Sequence, residues 1–181
     1  MEIEKLKLDI HSGDSGKILE SVDMLFKIGE VESIDYLLGL LDHPNSAIRD
    51  AVALTFRRNR FNDAVDPLLN SIKKKENKGC NGTMAYALET LDCSLRLKDL
   101  FDILFDDNSY ETRCHILRIL DEQIFEFTEE DLLEIEFKWY KLRDSWNDFN
   151  KIDEQNPRDF DLDRDLIQCF VDGYLVYLGN R

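Results

Sequence analysis

Apolar positions recur along this chain with one shared beat. Leu37, Leu68, Leu100 and Leu132 follow one another at spacings of 31, 32 and 32, and Leu38, Leu69, Phe101 and Leu133 repeat them one position later. Leu25, Phe56, Leu88 and Leu120 form a third column, and Val22, Ala53, Ala85 and Leu117 a fourth, with the same three spacings. Between the columns, apolar residues stand three and four apart, which gathers them on one helix face. A period of about 30 residues with small and apolar anchors predicts helical hairpins that stack and share one core.

The elements follow from that period. Residues 1–13 are a lead-in that fits two readings: Leu6, Leu8 and Ile10 alternate like a strand, while Ile3, Leu6 and Ile10 fit a helix. The repeats occupy 14–149. The first pair carries Ile18, Val22, Leu25 and Phe26, stops at Gly29, and resumes with a helix capped by Ser33 that presents Ile34, Leu37, Leu38 and Leu41. Asp42-His43-Pro44-Asn45-Ser46 is a turn. The second pair runs from Ala47 and presents Ile48, Val52, Ala53 and Phe56, then Val65, Leu68, Leu69 and Ile72 from a helix starting at Asn62 or Asp63. Pro67 is tolerated in that helix's first turn. Lys73 to Gly79 is a polar exit. The third pair uses Met84, Ala85, Leu88 and Leu91, then Leu97, Leu100, Phe101 and Leu104. Ser109 caps the fourth, whose first face is Ile116, Leu117 and Leu120. Thr128-Glu129-Glu130-Asp131 reads as a capping box for its second helix.

That helix carries Leu132, Ile135, Trp139, Leu142, Trp146 and Phe149, one stripe over about five turns. The stripe fits packing against neighbouring helices; the competing reading is that part of it is an exposed partner anchor. A polar linker follows over 150–161. A last helix, over 162–178, presents Leu166, Phe170, Val171, Tyr174, Leu175 and Leu178 and ends at Gly179. It lies outside the repeat and is expected to cover the open end of the stack. The expected fold is all-α: an α-solenoid of about four helical hairpins with a C-terminal capping helix, in a single domain over 1–181.

Charge adds a constraint on partners. The chain holds 23 basic and 38 acidic residues, a net charge of −15. Nucleic-acid backbone and anionic lipid would repel it, and a basic protein would attract it. Cysteines at 80, 93, 114 and 169 show no C-x-x-C and no dense disulfide framework. Cys93 and Cys114 read as small core residues. With no apolar signal-peptide core near Met1 and no run approaching the ~20 residues of a membrane span, a cytoplasmic location is expected.

The second repeat carries a family resemblance. Asp42-His43-Pro44-Asn45-Ser46-Ala47-Ile48-Arg49-Asp50-Ala51-Val52-Ala53-Leu54 resembles the HEAT-like repeat of the bilin-lyase type, in which a short acidic turn precedes V-R-x-x-A-A-x-A-L. Ala64-Val65-Asp66-Pro67-Leu68-Leu69-Asn70-Ser71-Ile72 is similar to that family's second helix. The resemblance spans 14 to 137, and the other repeats keep the columns without the arginine or the alanines. It implies the solenoid fold. Proteins with such repeats include bilin lyases, scaffolds, bacterial immunity proteins, DNA glycosylases and a di-iron hydroxylase, so it leaves function open.

Catalytic patterns are not what the chain presents. His11, His43 and His115 lack the paired His-Glu motifs of the di-iron relative, and there is no G-x-S-x-G, P-loop or G-x-G-x-x-G. Cys114 and His115 are adjacent on a helix and diverge by about 100 degrees, which disfavours a nucleophile–base pair. Arg49, Arg57, Arg58, Arg60, Lys73, Lys74, Lys75 and Lys78 form a local basic excess. It reads as a solvated face, with phosphate contact as the alternative.

The acidic C-terminal region is the stronger lead. Residues 121–181 hold 7 basic and 17 acidic residues. Asp144, Asp148, Asp153, Glu154, Asp159, Asp161, Asp163 and Asp165 crowd together, interleaved with Trp146, Phe149 and Phe160. Carboxylates speed encounter with a basic surface and aromatic rings supply desolvated contact. The expectation is a non-enzymatic binding module without cofactor or metal. Its lead form is an acidic immunity or inhibitor protein that occludes the active site of a basic toxin, such as a nuclease. The alternatives are a general scaffold and, further off, a bilin lyase or nucleic-acid repair enzyme.

Overall fold

A computed structural model of the protein describes residues 2–106, 109–149 and 160–179; for 145–149 and 160–163 it describes the backbone alone. Among the described residues there are ten α-helices and no β-strand. They are α1 (Glu2–Ile10), α2 (Ser15–Ile28), α3 (Val31–Gly39), α4 (Ser46–Asn59), α5 (Val65–Ile72), α6 (Gly82–Leu88), α7 (Leu97–Phe105), α8 (Tyr110–Glu122), α9 (Glu129–Phe149) and α10 (Phe160–Leu175). None of the described helices is long and apolar enough to cross a membrane. The chain divides into two compact units, Met1–Cys93 with Asn108–Ile119, and Ser94–Asp107 with Leu120–Arg181.

In the first unit α1 packs on α2, α2 on α4 and α4 on α6, while α3 packs on α2 and α5 on α6. The lead-in is a helix. Leu6 and Ile10, four apart, are buried together, and Leu8 points outward at 75% exposure, which strand alternation would not produce. Val22, Leu25, Leu37, Ala53, Phe56, Leu68, Ala85 and Leu88 are all fully buried. The interval that spaces these columns also spaces hydrogen bonds. The Thr55 hydroxyl donates to the Asp23 carboxylate at 2.6 Å, the Ser71 hydroxyl to the Leu41 carbonyl at 2.6 Å, and the Thr112 hydroxyl to the Asn81 side-chain oxygen at 2.6 Å. Their partners are 32, 30 and 31 residues apart.

Helix ends follow local chemistry in most places. Gly29 adopts φ 69° and closes α2 as a left-handed cap. Asn45 accepts from the Ala47 N–H to start α4, and the Ser109 hydroxyl accepts from the Thr112 N–H to start α8. Asp131 accepts from the Thr128 N–H at 2.9 Å while Thr128 accepts from the Asp131 N–H at 3.2 Å, the reciprocal box expected before α9. Ser33 departs from expectation. The helix begins at Val31 after Glu30, and Ser33 sits inside it, buried, its hydroxyl without a partner. Burial of that face against α2 outweighed the local capping preference.

In the second unit α7 packs on α9 and α9 on α10. Leu132, Ile135 and Trp139 are buried, so this stretch of the stripe is core rather than an exposed anchor. Trp139 stacks on Phe105 with ring centroids 5.6 Å apart and donates to the Gln168 side-chain oxygen at 2.7 Å. α10 buries Ile167 and Val171, and Leu166 is instead exposed at 44%. Of the expected face, Val171 is buried and Phe170, Tyr174, Leu175 and Leu178 are half-buried, so the difference is confined to Ile167, which joins the core, and Leu166, which leaves it. Two cysteine expectations separate: Cys93 is buried, whereas Cys114 is exposed.

Candidate functional site

The basic segment of the second repeat divides: Arg58, Arg60, Lys75 and Lys78 are exposed, as a solvated face would have them, while Arg57, Lys73 and Lys74 are half-buried and Arg49 is buried. Arg49 is 3% exposed, and its guanidinium donates to the carbonyls of His43 at 2.7 Å, Pro44 at 3.2 Å and Cys80 at 3.5 Å. It fastens the turn before α4 to the turn before α6. Arg57 is half-buried against Glu89, Arg58 is exposed and pairs with Asp23, and Lys74 pairs with Asp42 at 2.6 Å. These cations stabilise helix junctions, which leaves fewer for phosphate.

Glu89 is the centre of the most concentrated polar group in the first unit. Its side chain is 6% exposed. One carboxylate oxygen meets Nδ1 of His115 at 2.7 Å and Arg118 at 3.4 Å; the other meets Arg57 at 3.3 Å. Arg57 also lies over the Tyr86 ring at 3.5 Å from its centroid and donates to the Tyr86 carbonyl. A carboxylate held by three cationic or cation-forming groups links α4 to α8. His115 is engaged by Glu89 through Nδ1, and Cys114, its neighbour on the same helix, is exposed. Asp50, half-buried, is raised above its ordinary value by desolvation, against the opposing pull of Thr83 and Arg49. Among the described residues, no three His, Cys, Asp or Glu side chains are placed to hold a metal.

The expected acidic site is described only at its edges. Asp144, on α9, and Asp165, on α10, are both exposed. Trp146 and Asp148 belong to the backbone of α9, and Asp161 and Asp163 to that of α10. Asp153, Glu154 and Asp159 lie outside the described residues, as does most of the 150–161 linker.

A second feature of this unit was not singled out by the sequence. An open groove of about 560 Å³ runs between α10 and the segment that follows α8. Ile124, Phe125 and Phe127 form one wall, and Phe170, Tyr174 and Tyr177 the other. Tyr174 lies edge-on to Phe101, Phe125 and Phe127, with centroids 5.6, 6.3 and 5.8 Å away. Its hydroxyl donates to the Leu120 carbonyl at 3.4 Å, and burial pushes its ionisation up to about 12, with Tyr177 adding to the shift. Ile124 is 90% exposed and Tyr177 72% exposed. The signal was present: Ile124-Phe125-Glu126-Phe127 puts three apolar residues in a connection where polar ones are usual.

Compared with protein-family models, with curated proteins and with solved structures, this chain matches none.

Proposed function

We propose that this chain is a non-enzymatic protein-binding module whose partner is basic. Its specific form would be an immunity or inhibitor protein that lies over the active site of a basic toxin. The observation that carries the reading is a segregation. Residues 121–181 hold 17 acidic against 7 basic residues, and the same unit leaves apolar groups such as Ile124 and Tyr177 exposed. Carboxylates would steer the encounter and oppose the toxin's phosphate-binding cations, and apolar contact would hold the complex. The fold reading that goes with it is a HEAT-like α-solenoid of four hairpins, supported by buried columns and by hydrogen bonds that recur at the repeat interval. A cytoplasmic setting suits four free cysteines.

The test is capture of a cognate basic toxin by the full chain, followed by dissociation kinetics. Changing Asp161, Asp163 and Asp165 to Asn should speed dissociation, and rising salt should slow association. Binding that ignores both salt and these substitutions would remove the acidic surface from the mechanism.

A further inference from the structure

We infer that the groove between Ile124–Phe127 and α10 seats an amphipathic helix of a basic protein partner, its apolar stripe in the groove and its Lys or Arg residues toward the acidic rim. The inference rests on the binding-module reading and specifies the surface and the kind of segment.

Three observations select this occupant. The first is the extent of the apolar surface. Ile124 at 90% and Tyr177 at 72% exposure project from the groove walls, and Val176, beside Tyr177, is 76% exposed. A small molecule inside 560 Å³ would leave those rims in water, whereas a protein segment covers walls and rims together. The second is charge. Among the described residues lining the groove the one charged side chain is Asp121, and Asp165 and Asp172 are exposed on the helix that forms the opposite wall. An incoming acidic segment would meet like charge, and a basic one its complement. The third is backbone. Among the described residues no strand offers an edge, and the Glu126 N–H in the wall is already donated to the Ser94 carbonyl at 2.9 Å. Strand addition lacks a template there, which leaves side-chain recognition of a helix in a groove. The aromatic floor is held in place by the Tyr174 hydroxyl on Leu120 and by its edge-on neighbours, so it is formed before any partner arrives.

The experiment is selection of displayed helical peptides against the full chain. The library carries a fixed apolar stripe at i, i+3, i+4 and i+7 with randomised flanking residues of either charge. Enrichment of Lys- and Arg-flanked peptides is expected, with at least about a tenfold loss of affinity in Ile124→Asp and in Tyr177→Asp. Leu8→Asp, at an exposed apolar position in the other unit, should bind normally. Helical circular dichroism checks that each variant is folded, and the milder Tyr177→Ser should give the same direction of effect if an aspartate disturbs the wall. Enrichment of neutral or acidic peptides, or no enrichment, overturns the inference. So does binding that survives both groove variants. If such binding is lost in Asp144→Asn/Asp165→Asn, the groove fails while the acidic binding module stands. Concentration-dependent self-association abolished by Ile124→Asp also overturns it, because the occupant would then be a second copy of this chain.

Discussion

The two units use side chains differently. In the first, polar groups are drawn inward and paired: Arg49 on three carbonyls, Glu89 among Arg57, His115 and Arg118, and Asn77 donating to the Ser71 carbonyl at 2.8 Å. In the second, the polar ladder on α9 stays near the surface. Lys98 meets Glu134 at 3.0 Å, Lys138 meets Asp102 and Glu134 at 2.8 Å, and all four are at least 30% exposed. Its core is buried around Phe101 and Trp139, but the groove beside α10 leaves Ile124 and Tyr177 largely in water. A buried polar network fixes one arrangement of helices because each unpaired member would be costly. A partly exposed aromatic wall has a different consequence: it leaves apolar area whose burial is still available to a partner. Under the proposed function, the first unit would be the framework and the second would carry the recognition surface.

The largest expected loss tests whether the second unit nonetheless has a firm core. Trp139→Ala removes a fully buried ring stacked on Phe105 and should cost about 3–5 kcal/mol, read by urea unfolding. A small change would mean that α9 is held elsewhere. Glu89→Ala should cost about 3 kcal/mol, because Arg57 and His115 would keep buried charge or donors without their acceptor. If instead the variant is as stable as the parent, the polar framework of the first unit is not what fixes it.

Smaller effects sharpen the contrast. Thr128→Ala should lose about 1 kcal/mol through the cap of α9. The capping Asp131 is lowered below its ordinary 3.8 chiefly by the Thr128 N–H, then by the Thr128 hydroxyl. Its contribution is therefore present above that value and fades as pH falls through the lower folded value. Asp131→Asn should flatten this part of the acid limb in a stability–pH profile. At the alkaline end, Tyr174 remains neutral in the fold up to about 12 while an unfolded tyrosine ionises near 10.0. Stability should thus decline as pH rises across that interval, and Tyr174→Phe should reduce the decline; absorbance at 295 nm monitors the phenolate. Ile124→Ser should change stability by less than about 0.5 kcal/mol, since the residue is 90% exposed. A large loss there would make the groove wall structural.

Several local features could be read directly. Gly29, Ser109 and the Thr128–Asp131 box end or start helices through contacts a few residues away, so neighbouring sequence suffices to predict them. The failures share a different cause. Ser33 looked like a cap and became core, and α10 turned Ile167 inward and Leu166 outward. Arg49 and Arg57 looked like surface charge; Arg49 is buried on backbone carbonyls and Arg57 is half-buried against Glu89. Each outcome depended on how one element packs against another, which capping preference and charge pattern along the chain do not encode.

The sequence by itself determined the helical class and three buried columns, with Leu38 and Leu133 of the remaining column only half-buried, because periodicity along a helix fixes which residues share a face. Only the tertiary structure decided which carboxylate receives Arg57, which carbonyls receive Arg49, and that Phe125, Phe127, Tyr174 and Tyr177 border one groove. Arg49 reaches the Cys80 carbonyl 31 residues on, and the groove brings the segment after α8 against α10. Such pairings are selected by the shape and unsatisfied groups of the packed helices, which exist only once the chain has folded.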